Sequence, residues 1–211
     1  MTYFYYILFL ERGKKMKTAL ILLLNDYADW EVAFVSSTIN MSEKWSVKTI
    51  STQKEVQSLG GLTTKVDYLL EEIPSQYDLL ILIGGNSWVN DDPNIIPLVN
   101  HTLDKNIITG AICGAVDFMA RNGLLNNFKH TGNDLNLWSA FDQYSNKDHF
   151  QFKQAVRDQH LITANGTAPI EFEQLILESI DYAEKSEIEK TIYLHKYGFY
   201  EYFKKYGNPF T

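Results

Sequence analysis

Four stretches limit what this chain can fold into: TALILLL at 18–24, WSVKTIS at 45–51, YDLLILIGG at 77–85 and IITGAI at 107–112. The largely unbroken apolar character of the first, third and fourth is what strands need when a parallel sheet is covered on both faces, and WSVKTIS reads as a further strand. A sheet with one wet face has no such requirement. Helical stretches separate the runs. NDYADWEVAFVSSTIN offers Asp26 or Asp29 as a cap and continues to about Asn40. PNIIPLVNHTLDKN carries proline in its first turns, and a helix from about 115 to 122 stops at Gly123. PIEFEQLILESIDYA is a long amphipathic helix with proline at its start. Hairpins are expected at VQSLGGLTTKV, around Gly60-Gly61, and at KQAVRDQHLITAN, with Asp158-Gln159 at the turn. This alternation predicts an α/β fold: a doubly wound, mostly parallel sheet sandwiched by helices.

A chain of 211 residues, 45% hydrophobic, is long and apolar enough for one core. Residues 16–211 read as one domain ending in an aromatic helix, and Met16 opens MKTALILLLND, a natural start for a first strand. Residues 1–15 are expected to be an N-terminal extension outside the fold. Their apolar run of about ten residues lacks a basic leader and a small-residue cleavage site, and falls short of the ~20 that span a bilayer. The formal charge of -7 argues against a nucleic-acid partner, and no membrane partner is expected. The single cysteine suits a reducing, cytoplasmic setting. His101, His130, His149, His160 and His195 are scattered, so no metal and no cofactor is expected.

In a doubly wound sheet the binding crevice lies beyond the carboxyl ends of the strands. NDYADWE, GGNSW and AICGA all fall at such ends. The third holds the lone cysteine, Cys113, between a strand and a helix. A tight strand-to-helix turn projects its side chain into the crevice, and Gly114 lets the backbone come close. The helix amides and dipole favour the thiolate, which predicts a thiol that ionises below the ordinary 8.5. Gly114 and, across the crevice, Gly85 are candidate oxyanion donors. The alternative is a buried, inert cysteine serving as a small hydrophobe. Glu31 likewise reads two ways, as a crevice carboxylate or as a routine first-turn acid. Trp30 and Trp88 are pocket candidates that packing alone could also explain.

NDYADWE, LILIGGNSW, GAICGAVDFMARNGLLNN, HTGN and LITANGTAPIEF, in this order, resemble the ThiJ/PfpI superfamily over residues 17 to 185, nearest an uncharacterised bacterial branch. The resemblance implies a flavodoxin-like, class I glutamine amidotransferase-like fold. It also implies Cys113 as elbow nucleophile and Glu31 as a protonated glutamate hydrogen-bonded to it. Members often carry histidine after the cysteine or within the HTGN-like segment. Here those positions are Gly114 and Asn133, and His130 reads as a solvated loop residue. No late His-x-Glu pair is present, so a glutaminase is not expected.

The expected function is therefore a cysteine-dependent hydrolase or a glyoxalase- or deglycase-like enzyme acting on a small electrophile. The alternative is a redox or stress sensor that works by oxidation of Cys113. A third reading is a binding module whose pocket Cys113 merely lines. The partners expected are a small-molecule substrate or oxidant and a second copy of the chain. The tail YLHKYGFYEYFKKYGNPF, with aromatics at helical spacing, would pack on its own core or on that second copy.

Overall fold

A computed structural model describes residues 16–90 and 92–210. The strands are β1 (Lys17–Leu22), β2 (Trp45–Ser51), β3 (Glu55–Gln57), β4 (Thr63–Lys65), β5 (Tyr68–Leu69), β6 (Leu79–Leu82), β7 (Ile108–Ile112), β8 (Ala155–Asp158) and β9 (Leu161–Ala164). The helices are α1 (Asp29–Asn40), α2 (Ile95–Asp104), α3 (Gly114–Arg121), α4 (Pro169–Ser179) and α5 (Lys185–Tyr206). Seven strands form one sheet in the order β5-β2-β1-β6-β7-β9-β8. Every pairing in it is parallel except the edge hairpin of β8 and β9. The four stretches singled out in the sequence supply β2, β1, β6 and β7, side by side. The fold is the α/β sandwich that those runs imply.

Both faces are covered, which explains the missing alternation. Leu20, Leu22, Leu80 and Leu82 join one core cluster with Leu98 and Val99 of α2 and Phe118 of α3. Their neighbours Ala19, Ile21, Leu79 and Ile81 join the other, with Val35 and Ile39 of α1, Phe172 and Ile176 of α4, and Ile188 and Ile192 of α5. A side chain on Gly110 would meet Ile176 Cδ1 at 2.6 Å and Phe172 Cζ at 2.8 Å, so α4 lies directly on β7 there. β3 and β4 pair separately as an antiparallel hairpin, as the two glycines predict.

Two local expectations are corrected. α1 begins after Ala28, with no side-chain cap from Asp26 or Asp29. The Asp29 carboxylate instead accepts the Gly60 N–H at 2.8 Å, tying the helix to the hairpin loop. α5 is not one continuous amphipathic helix either. Gly198, at φ 79° and ψ 177°, breaks it, a conformation glycine adopts without a Cβ penalty. The piece beyond folds back so that Tyr206 meets Tyr193 at 5.4 Å, and it leaves Tyr200 79% and Phe203 51% exposed. The extension over residues 1–15 lies outside the described residues. Among the described residues no helix is long and apolar enough to cross a membrane.

Candidate functional site

β7 ends at Ile112 and α3 starts at Gly114, so Cys113 makes the turn alone, at φ 58° and ψ -126°. A residue with a Cβ pays roughly 1–3 kcal/mol for such a backbone, and the surroundings must enforce it. They do: Cys113 N–H donates to Ala164 O on β9 at 3.0 Å, and its carbonyl accepts the Val116 N–H at 2.9 Å. The half-buried thiol is thereby aimed beyond the strand ends.

Two glycines wall the sulfur in. A Cβ at Gly84 would sit 2.5 Å from both Cys113 Cβ and Glu31 Oε2. A Cβ at Gly166 would sit 2.7 Å from Sγ and 3.1 Å from Glu31 Oε1. Glu31 and Cys113 are thus enclosed together between two bare backbones. Glu31 is fully buried; its Oε2 accepts the Gly84 N–H at 2.8 Å, and its Oε1 has no hydrogen-bond partner of good geometry. Burial pushes the Glu31 carboxyl up to about 7, against the opposing pull of the Cys113 thiol and the Gly84 N–H.

The thiol departs from expectation. Burial first, and the Glu31 charge second, push Cys113 up to about 11, outweighing the donors Asn133 and Gly114 N–H that favour the thiolate. The helix amides alone do not set this thiol. The pair loses its first proton near neutrality, and thiolate with carboxylic acid holds the same number of protons as thiol with carboxylate.

Asn133 occupies the place that HTGN suggested. Its Nδ2 donates to Sγ at 3.3 Å, and its Oδ1 accepts the Gly166 N–H at 2.9 Å. Since a backbone N–H can only donate, that second bond fixes which way the amide points. Gly85, Trp88, Cys113, Gly114, Asp117 and Asn133 line one cavity of about 330 Å³, closed further by Arg121, Leu137 and Phe141. Gly114 must lack a side chain, because its Cβ would meet Gly85 O at 2.7 Å. Trp88 is buried, with its indole N–H on Ile83 O at 2.7 Å, and shows the cavity only part of its surface. Trp30 is not among the cavity-lining residues; its indole N–H donates to Gly166 O at 3.1 Å, bracing the glycine that covers the sulfur.

His130 is corrected. It is not a solvated loop residue but fully buried, its Nδ1 2.7 Å from Phe128 O and its Nε2 2.7 Å from Tyr144 Oη. It belongs to an aromatic cluster with Trp138 and Phe150. Among the described residues no histidine is hydrogen-bonded to Cys113. The sequence reading missed Asp117, Gly84 and Gly166. Asp117 stands four residues after Cys113, one helical turn along the same face, and that spacing was the available signal.

Comparison with known proteins agrees with this architecture. Residues 17–179 match the model of the DJ-1/PfpI family. The chain is 52% identical over 196 residues to "Uncharacterized protease YdeA" of Bacillus subtilis (strain 168), covering 93% of this chain and 100% of that protein. It is 33% identical over 187 residues to "Uncharacterized protease YoaZ" of the same organism, covering 83% and 89%. The crystal structure of a thiJ/pfpI family protein from Bacillus anthracis superposes with a TM-score of 0.80 at 30% identity, covering 91% and 96%. The chain belongs to the DJ-1/PfpI family.

Proposed function

We propose that the protein is a cysteine-dependent enzyme acting on a small electrophile, a hydrolase or a glyoxalase- or deglycase-like catalyst. The observation that carries this reading is the enclosed pair of Cys113 and Glu31 at a strained elbow on the wall of a 330 Å³ cavity. A carboxylate whose proton affinity matches neutral pH is a good general base. Glu31 takes the thiol proton as Sγ attacks a carbonyl carbon. The C–S bond forms, the π pair moves to oxygen, and that oxygen takes the proton back from Glu31. With an aldehyde the adduct is a hemithioacetal, and in a 2-oxoaldehyde Glu31 moves its C1 proton to C2, giving a 2-hydroxyacyl thioester; with an ester or amide the leaving group takes the proton instead, and in each case water attacks the acyl-enzyme and returns the thiol. Gly114 and Gly85, which line the same cavity, are the oxyanion donors of this scheme. The word protease in the names of YdeA and YoaZ is consistent with acyl transfer, and the cavity volume favours small substrates.

A sensor is the second reading, favoured because no histidine among the described residues is bonded to the sulfur. Peroxide would then be the partner: the thiolate takes one peroxide oxygen as the O–O bond breaks, the other oxygen leaves as hydroxide and takes a proton from Glu31 to depart as water, and Asn133 and Gly114 N–H hold the new oxygen. Steady-state turnover of methylglyoxal, glutamine and a generic ester separates the two. The enzyme reading predicts turnover of methylglyoxal or the ester that Cys113→Ser abolishes, and none of glutamine. No turnover, together with oxidation of one thiol by peroxide, supports the sensor instead. The exposed aromatics beyond Gly198 support association of two copies, and a clean monomer mass by light scattering at micromolar concentration would count against that.

A further inference from the structure

Glu31 Oε1 is a buried acceptor without a hydrogen bond of good geometry, and that state depends on what keeps water from it. Gly84 and Gly166 are the two backbones set against the carboxylate. Gly84, just past β6, is fixed on both sides. Its N–H donates to Glu31 Oε2 at 2.8 Å, and its carbonyl accepts the Ala28 N–H at 3.0 Å. Gly166 is half-buried in the turn between β9 and α4, and a Cβ there would lie 2.7 Å from Sγ and 3.1 Å from Oε1. Of the two walls, this turn is the one that can open.

Among the described residues two hydrogen bonds hold Gly166, one on each of the peptides that flank its Cα. Its N–H donates to Asn133 Oδ1 at 2.9 Å, and its carbonyl accepts the Trp30 indole N–H at 3.1 Å. Trp30 directly precedes Glu31 on α1, so the helix that supplies the acid also supplies a strap over it. The Trp30 side chain is 50% exposed, and water would serve its N–H nearly as well. The bond therefore matters for where it holds the glycine. We propose that Trp30 is a positioning residue for the Cys113–Glu31 pair, holding the β9–α4 turn down over Sγ and Oε1 through the Gly166 carbonyl. With the turn held, water is kept from Oε1 and the sulfur is reached from the cavity side. A carboxyl raised by burial to about 7 fits an oxygen kept dry in this way. The inference rests on that pair being the reactive centre, but on no substrate.

Cys113, from the turn after β7, is the titratable group that faces Glu31, and the loops after β6 and β9 bring the backbones of Gly84 and Gly166. Elsewhere on α1, Asp29 accepts the Gly60 N–H, and Glu173 of α4 is engaged with Thr38 and with His195 of α5. The experiment follows alkylation of Cys113 against pH in the full chain, by iodoacetamide and by the bulkier N-ethylmaleimide. Both reagents need the thiolate, so the ratio of their rates at one pH cancels its fraction and reads access to the sulfur. Trp30→Phe keeps a ring and loses the donor. It should move the lower step of the profile, near 7 in wild type, down by about one unit as water reaches Oε1. It should also raise the maleimide-to-iodoacetamide ratio severalfold. Thr38→Val loosens α1 elsewhere, by removing the 2.6 Å bond to Glu173, and should change neither quantity. A lower step or a ratio that keeps its wild-type value in Trp30→Phe overturns the proposal. An equal response in Thr38→Val overturns it too, since general loosening of α1 then explains the result. A wild type without the lower step overturns it together with the proton-sharing pair. Turnover is measured apart from these rates: a strap that fails leaves Cys113-dependent turnover standing, and the response confined to Trp30→Phe supports the strap even where no substrate is turned over.

Discussion

Two glutamates among the described residues are sealed from solvent completely, Glu31 and Glu173, yet their surroundings differ in kind. Glu173 on α4 has a partner for each oxygen: Oε1 accepts from Thr38 Oγ1 at 2.6 Å, and Oε2 lies 2.8 Å from His195 Nδ1. It pins α1, α4 and α5 together, with the His195 ring 4.8 Å from that of Phe34. Glu31 has one backbone donor and a second oxygen left bare beside a thiol. Equal burial therefore gives opposite roles. A carboxylate whose oxygens are both bonded is a clamp, and one that is half satisfied costs folding energy and keeps an affinity for a proton.

The pH dependence of stability separates the two glutamates most strongly. The folded Glu31 carboxyl is raised from 4.5 to about 7, so the native state holds a proton that the unfolded chain releases. Its stabilising contribution is complete below pH 4.5 and is lost as pH rises to about 7. Across that window it amounts to about 3 kcal/mol. Urea midpoints at pH 5 and pH 8 should show that loss in wild type, and Glu31→Gln should largely flatten it. An unchanged slope in Glu31→Gln would mean that the carboxyl is not strained by its site. The smaller effect belongs to the clamp. Glu173→Ala should lower stability by about 2 kcal/mol through loss of two buried hydrogen bonds, while leaving the alkylation profile of Cys113 in place. A Glu173→Ala protein that is as stable as wild type, or whose thiol profile moves, would erase the distinction between the two sites.

The parts of the fold that could be read from the sequence were those where burial on both faces removes alternation. β6 is purely aliphatic and β1 ends in four aliphatic residues, runs that a strand covered on both faces accommodates and one with a wet face does not need. The elbow was legible because a buried strand, one cysteine and a glycine follow each other directly, which is the local order a tight strand-to-helix turn needs. Asn133 was legible because HTGN placed it. What stayed hidden depended on distant packing. His130 is a core residue only because Tyr144, Phe150 and Trp138 close around it from later in the chain. The need for glycine at 84 and 166 arises where two loops meet across the sheet, which no local pattern records. Asp117 sits in a first helical turn, where the helix dipole already accounts for an acid. At Gly198 the aromatic spacing continues across the break and masks it, although a left-handed φ is what a glycine there permits.

The central claim is that Cys113 and Glu31 act as one proton-sharing pair, and the alkylation rate of Cys113 against pH tests it most directly. Wild type should climb in two steps. One lies near 7, where the pair loses its first proton, and one near 11, where the thiol ionises against the carboxylate. Glu31→Gln removes both the base and its charge. It should leave a single step, below the upper wild-type one by about a unit or more. A single inflection in wild type that Glu31→Gln does not move would contradict the account, because Cys113 would then ionise without reference to the carboxyl enclosed beside it.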